Sequence, residues 1–595
     1  MAVGLTRRLA GVAGVPAAEA AVRARGMLAA VDGSGPEVAE EGGVTVSLAG
    51  TLFQPGGGAA ALLRLYRERG LDAALRELNG DFAFAIADEN AATLHLARDR
   101  FGVRPLFYWT GDGKLAFASR LRSLLALREV PRDLNRKFVG LFAGSHYRTI
   151  DNDPDCSPFA AIRQLPAAHC LTWKAGTVSL RRYWSLDAEQ DLQAGEQEIA
   201  AQYRELLLDA VRLRLAAAPD AAFTLSGGMD SSSVLACAVR VRGGRQHAFS
   251  TVYRDPTYDE SEDIKTILGD TVQQWHPVQV DDPDVHGLVK EMVAAHDEPV
   301  ATATWLSHYL MCREVKRAGF TALFGGLGSD ELNAGEYEHF LPFFADLRAR
   351  RLDSRLDEEV RLWIRYHDHP IFRKSRESME RDLARLTDPA VHGRCLPDRG
   401  RLERYADAVE PAYFDVRAFQ PVMEHPFSSY LKNRTWQDLS RETVPCCLRG
   451  EDRQGAVFGI ANVLPFLDHR LVEFMFRVPP NLKYKDGVTK HMLREAMKGV
   501  LPETTRTRVK KTGWNAPAHQ WFFSGRGRDT LQDLIGSRRF RERGIYRVAE
   551  VERLLAEHEE IVSGSQRRDN HMMFFWQLVN MSAWLDWVDA LPAAA

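Results

Sequence analysis

Apolar and polar positions first alternate regularly at Val44-Thr45-Val46-Ser47-Leu48, a period of two that predicts a half-buried strand. Helical spacing follows over Ala59 to Gly70 and a second strand pattern over Asp81 to Ala87, so this part of the chain reads as an α+β domain. Residues 1 to about 40 are rich in Ala, Gly and Val and show no clear period. Further on, Tyr203, Leu206, Leu207, Ala210, Val211 and Leu215 form one stripe, which predicts a helix with a buried face over Ala200 to Leu215. Apolar runs at Ala221 to Leu225, Ala248 to Tyr253, Trp275 to Val280 and Thr321 to Phe324 are separated by helical stretches. This alternation specifies a doubly wound parallel sheet, whose ligands sit at the carboxyl ends of the strands. Residues from about 340 to 440 are densely charged, with helical patterns at Phe344 to Leu356 and Glu377 to Leu386, and read as an inserted set of solvated helices beside an acceptor pocket. From Val444 to about Asp589 the chain is again helical and apolar, and Phe574, Phe575, Trp576, Trp584 and Trp587 are expected in the core.

Composition narrows the class. With 595 residues the chain exceeds one ordinary core, and two domains are expected. Hydrophobic content of 45% and charged content of 26% are globular, and a formal net charge of −3 gives no reason to expect nucleic acid or a membrane surface. Seven cysteines without a Cys-x-x-Cys spacing point to reduced, buried thiols. Thr6-Arg7-Arg8 and the following Leu9 to Ala18 imitate a signal peptide, but Pro16 interrupts a short segment of low hydrophobicity. No apolar run approaches the ~20 residues of a membrane-spanning helix. A cytoplasmic protein is expected.

The chemistry centres on Leu225-Ser226-Gly227-Gly228-Met229-Asp230-Ser231-Ser232, between an apolar strand and a helical run. Small residues there form a nest in which backbone N–H groups and a helix N-terminus bind an anion. Neither the Gly-Lys-Ser/Thr phosphate loop nor a Gly-x-Gly-x-x-Gly pattern is present. Asp230 is the unusual member, because a carboxylate beside phosphates is repelled unless a cation lies between them, and it predicts Mg²⁺. This stretch resembles the pyrophosphate loop of adenylating ATP pyrophosphatases, and the closest subgroup is the asparagine synthetase-like amide synthetases. Leu323-Phe324-Gly325-Gly326-Leu327-Gly328-Ser329-Asp330-Glu331 and Val463-Leu464-Pro465-Phe466-Leu467-Asp468-His469, with Lys490, Leu493 and Arg494 beyond, resemble the same subgroup in the same order.

The resemblance extends to the amino-terminal part. Asn79 to Ile86 and Asp99 to Tyr108 resemble the family's glutamine amidotransferase domain, which implies an Ntn-type sandwich over residues 1–188 ahead of an ATP-pyrophosphatase domain over 189–595. The family's glutaminase uses a cysteine at position 2, where Ala2 stands here, and no cysteine precedes Cys156. Without a thiolate no glutamyl thioester forms. A His-Arg-Gly-Pro-Asp stretch is also missing, and Ala49-Gly50-Thr51 stands where Asn-Gly-Glu would bind glutamine. The domain is expected to be an inactive remnant that packs against the synthetase domain.

By resemblance, ATP lies in the loop, with Ser226 and Ser232 donating to phosphate oxygens, Ser250 and neighbouring residues of its strand near adenine, and Gly326 and Leu327 in the second loop. Asp230 and Asp330 would hold Mg²⁺. Lys510 resembles the family lysine that neutralises developing charge, with Lys511 in reserve, while Lys490 would either contact phosphate or pair on its own helix. Two departures matter: Leu327 stands where asparagine synthetases have Glu and β-lactam synthetases Tyr, and Ala461 or Asn462 replaces a further Glu. Leu327 cannot move a proton, which disfavours β-lactam closure. The expected enzyme adenylates a carboxylate and passes the acyl group to ammonia, a small amine or a hydrazine, without glutamine. The alternatives are a lasso-peptide-type macrolactam cyclase with a peptide substrate and a non-catalytic nucleotide-binding scaffold, and a homo-oligomer is compatible with either.

Overall fold

The computed structural model describes the backbone of residues 8–9, 20–24 and 27–31, and then residues 37–592 except 55, 370, 510–515 and 565–567. Ala2, Lys510 and Lys511 therefore lie outside the described residues.

Two six-stranded sheets build the amino-terminal half. One runs, edge to edge, through Thr177–Arg182, His169–Lys174, Thr93–Arg98, Gly80–Asp88, Val44–Leu52 and Glu37–Glu41, all antiparallel. The other holds Lys114–Ala118 and Phe107–Gly111 near its centre. Period two sorts the strand Gly80–Asp88: Ala83 and Ala85 pack with Tyr108, Leu115 and Phe117 of the second sheet, whereas Phe82, Phe84 and Ile86 pack with Leu62 and Leu63 of the helix Ala59–Glu77. The expected helix thus runs past Gly70, which lies at φ 77° and kinks it. The outer face of the second sheet, with Phe107 and Trp109, joins the core of the carboxyl-terminal helix Met572–Asp589, where Phe574, Phe575, Trp576 and Trp584 are buried and Trp587 sits at the margin.

The second half is organised on five parallel strands in the order Val272–Gln279, Gln246–Val252, Ala221–Thr224, Ala322–Phe324 and Ala461–Val463. Together the sandwich and this sheet make a mixed α/β fold. Strand order reverses between Ala221–Thr224 and Ala322–Phe324, which makes a topological switch point above their carboxyl ends. The predicted helix at Phe344 to Leu356 is instead two, Phe340–Ala349 and Asp353–His367, broken where Arg351 takes φ 59°.

Charges fasten the halves together. Arg214, 1% exposed on the helix Glu196–Ala217, donates to Asp468 at 3.0 Å, lies 4.0 Å from Asp81 and stacks over the Phe53 ring. Burial would raise the Asp468 carboxyl, but Arg214 and Arg470 reverse this and hold it well below the usual range. Arg104 of the sandwich pairs with Asp452 at 2.9 Å. Arg214→Met leaves two buried carboxylates poorly compensated and is expected to destabilise the protein by about 3–5 kcal/mol, read as a lower urea midpoint; an unchanged midpoint would contradict this role.

Candidate active site

The loop after Ala221–Thr224 is held from within. Ser226 N–H donates to Ser231 Oγ at 3.0 Å, Gly228 N–H donates to Ser226 Oγ at 3.3 Å, and Leu225 N–H donates to Phe249 O at 2.8 Å. The helix Met229–Arg242 starts immediately, with Asp230 in its first turn and Gly243 closing it in the left-handed region. Ser226, Asp230 and Ser231 face a cavity of about 480 Å³ over the carboxyl ends of the sheet. Ser232 does not: it is fully buried and its hydroxyl turns back to Ser226 O at 3.4 Å, so the expected phosphate contact is not available to it in this conformation. Met229 is likewise in the core, and Ser250 Oγ donates to Leu225 O while accepting Trp275 Nε1–H at 3.0 Å. Gly227 and Gly228 supply close approach rather than cavity wall: a Cβ on Gly227 would fall 2.3 Å from Asp263 Cβ, and Arg508 donates to Gly227 O at 2.6 Å.

The second loop, after Ala322–Phe324, meets the first. Gly325 N–H donates to Val463 O at 3.0 Å, tying in the edge strand. A Cβ on Gly326 would lie 2.8 Å from Asp230 Cβ and 2.9 Å from Ser231 N, so the junction tolerates no side chain there. Leu327 lies on the cavity wall and has no polar side-chain atom.

Lys490 joins the two loops. Its ammonium lies 2.6 Å from both Asp230 oxygens and 2.7 Å from Asp330 Oδ1, with the residue 5% exposed. The residue sits at φ 60°, a left-handed conformation that costs a non-glycine roughly 1 kcal/mol or more. Two charge-assisted contacts offset that cost. A Cβ on Gly335 would stand 1.9 Å from Asp330 Oδ1 and 2.2 Å from Lys490 Cε, so a second glycine is required beside the cluster. Of the two expectations for Lys490, pairing on its own helix is not what is seen: the lysine caps the helix His491–Ala496, and its partners come from two other elements.

A magnesium ion is bound by one or two carboxylates together with substrate phosphates. Asp230 and Asp330 already share one cationic atom at 2.6–2.7 Å, so this donor pair fits such an ion. Among the described residues no cluster of three or more His, Cys, Asp or Glu side chains could hold a metal unaided.

Several cavity residues escape the sequence motifs. Tyr147 and Arg148, from the end of the amino-terminal half, form part of the wall. Thr304, His308 and Met311 present one face of the helix Thr304–Arg317, and Thr443, Cys447 and Glu451, spaced by four, present one face of the helix Thr443–Phe458. That i, i+4 spacing was the available signal. Burial pushes the Glu451 carboxyl up to about 8, and its Oε2 has no hydrogen-bond partner among the described residues. Glu331 is 2% exposed, and burial, then the adjacent Asp330, push it well above the usual range. Burial also lowers His308 to about 4, and its Nδ1 meets Gln454 Oε1 at 2.7 Å. Among the described residues, the charged stretch expected to border the pocket contributes none of its interior to the wall, which is lined at its flanks by Glu336, Tyr337 and Thr443.

Comparison with known proteins matches residues 202–586 to asparagine synthase and residues 45–184 to the glutamine amidotransferase domain. Two glutamine-hydrolysing asparagine synthetases of Bacillus subtilis are similar: number 3 is 26% identical over 451 residues, covering 73% of this chain and 67% of the relative, and number 1 is 24% identical over 505 residues, covering 79% and 73%. Amidase chry2 of Gibberella zeae is 25% identical over 512 residues, covering 77% of this chain and 73% of that one. Among the described residues no helix is long and apolar enough to cross a membrane. With both strand-end loops, the shared lysine and a match over most of its length, the chain belongs to the asparagine synthase family and is an ATP-dependent ligase that forms carbon–nitrogen bonds with release of AMP.

Proposed function

We propose that this enzyme adenylates a small-molecule carboxylate and transfers the acyl group to ammonia or a small amine or hydrazine, without hydrolysing glutamine. The observation that carries this reading is the cluster of Asp230, Lys490 and Asp330 at the mouth of the Ser226 loop, beside a cavity large enough for a nucleotide and a small acid. The two cysteines of the sandwich support the loss of glutaminase chemistry. Burial pushes the Cys156 thiol up to about 12 and Cys170 up to about 11, so neither supplies a thiolate near neutral pH.

In this reading the substrate carboxylate oxygen attacks the α-phosphorus of ATP, and the bond to the bridging oxygen breaks with its electrons leaving on pyrophosphate. The start of the helix Met229–Arg242 faces the phosphates with its positive dipole end. Lys490 keeps a cation at the junction as negative charge develops. A magnesium ion held by Asp230 and Asp330 would supply further neutralisation of the phosphates. The amine then attacks the acyl carbon and AMP departs. Lys510 is assigned a supporting charge by its motif. A cytoplasmic setting suits an ATP-consuming enzyme with seven free thiols.

Three tests follow from this site. Purified enzyme given a panel of acids with ammonium, simple amines or hydrazine should release AMP and pyrophosphate only with a matching acid, and glutamine should not replace the amine. Asp230→Ala and Asp330→Ala should each lower that release by about 100-fold or more; full activity in either would refute the assignment. Gly326→Ala forces the Asp230 loop aside and should weaken ATP binding by roughly tenfold or more in calorimetric titration while the protein stays folded by circular dichroism. Wild-type affinity would show that the two loops need not touch.

A further inference from the structure

A second cavity, of about 200 Å³, opens where the sandwich meets the synthetase half, and the reaction above does not use it. Its wall carries three aromatic rings. Phe101 meets Trp184 edge-on with centroids 5.5 Å apart, and Trp184 lies 6.4 Å from Trp436 at 53°. Both indole N–H groups are spent on carboxylates, Trp184 on Glu473 at 2.8 Å and Trp436 on Glu424 at 2.6 Å, so the two rings offer the cavity carbon alone. The charge of the wall is one-sided: among the described residues lining it, Arg100, Arg182 and Arg441 face a single acid, Glu424. Arg441 neutralises that acid at 2.7 Å. Arg100 is 7% exposed, and its terminal nitrogens donate to the carbonyls of Leu75, Arg76 and Leu78 at the end of the helix Ala59–Glu77. Its Nε is buried with no partner among the described residues. Arg182 ends the outermost strand of its sheet and is exposed, and its guanidinium makes no hydrogen bond or ion pair among the described residues. Aromatic carbon beside two uncompensated guanidinium groups suits a flat anion, whose ring packs on the indoles while its oxygens accept from the arginines.

We propose that this cavity is an effector site for a small aromatic anion, a single ring bearing a carboxylate or a phosphate. The ring packs against Trp184 and Trp436, and the anionic group accepts from Arg182 and from Arg100 Nε. Occupancy reaches the active cavity through Arg441. Besides pairing with Glu424, Arg441 donates to Asn152 O at 2.8 Å, at the end of the 3₁₀ turn Tyr147–Asn152 that carries Tyr147 and Arg148 into the active-cavity wall. Arg441 also closes the helix Tyr430–Ser440, and Thr443, two residues on, lines the same wall. An anion beside Arg441 competes with Glu424 and Asn152 O for its N–H groups, and so biases the position of both wall segments.

The test titrates the full-length protein calorimetrically with benzoate and with phenyl phosphate, and with benzamide as the uncharged counterpart. At least one of the two anions should bind with a Kd of about 1 mM or below, the tighter one marking the head group, and benzamide should bind about tenfold more weakly or worse. Arg182→Ala changes an exposed residue outside the active cavity. It should weaken the anion by about tenfold or more and leave the affinity for ATP at the wild-type value, which also reports that the variant is folded; Arg182→Lys should recover part of the loss. Saturating anion should change the affinity for ATP by about threefold or more in the wild type and leave it unchanged in Arg182→Ala. Binding of neither anion, equal binding of benzamide, or wild-type anion affinity in Arg182→Ala would overturn the site. Unchanged ATP affinity with the anion bound would overturn its role as an effector.

Discussion

The site depends on one ammonium group shared by two carboxylates. Asp230 begins a helix after the first strand of the parallel sheet, Asp330 follows a strand about a hundred positions later, and Lys490 arrives from the far side of the domain. Like charges on Asp230 and Asp330 would push the loops apart, and the buried lysine converts that repulsion into cohesion. Close contact is possible only because Gly326 and Gly335 carry no side chain at the points where the loops and the lysine touch. The strained backbone at Lys490 belongs to the same arrangement, since a right-handed residue there would aim its side chain elsewhere.

Around this junction the cavity is assembled from parts of quite different origin. The sheet supplies the floor through strand-end loops, two helices packed against each other supply wall residues three or four positions apart, and the segment leaving the sandwich supplies Tyr147 and Arg148. The amino-terminal half is therefore part of the cavity wall as well as a packing partner. Arg214, Asp468 and Asp81 explain its retention: removing the sandwich would strip a buried guanidinium of a carboxylate and of the Phe53 ring that covers it. A domain whose two described cysteines are both buried can in this way remain indispensable to the geometry of its neighbour.

Much of this was legible in the residue order, for identifiable reasons. The Ser226 loop, the Gly325-Gly326 loop and the alternation of strands and helices are local patterns, so both strand ends and the sheet class could be read directly. Lys490 was visible as a motif member, but its partners stand 260 and 160 positions away and no local spacing encodes them. Glu451 was invisible because a single acid inside a helix is ordinarily solvated; only the fold places it against the cavity. Ser232 misled because a hydroxyl in a tight loop can serve the loop's own carbonyls as readily as a ligand. The break at Arg351 carried no glycine or proline, and the strand Ala461–Val463 is too short for a period to show.

The central claim is that the acid is activated as an acyl adenylate in this cavity. It is tested most directly by supplying the accepted acid labelled with ¹⁸O in its carboxylate and weighing the AMP released. Attack on the α-phosphorus carries one labelled oxygen into AMP when the amide forms, so AMP heavier by a single ¹⁸O is the expected result. Label in inorganic phosphate with ADP as the nucleotide product, or AMP without label, would contradict adenylation and place the chemistry at another phosphorus.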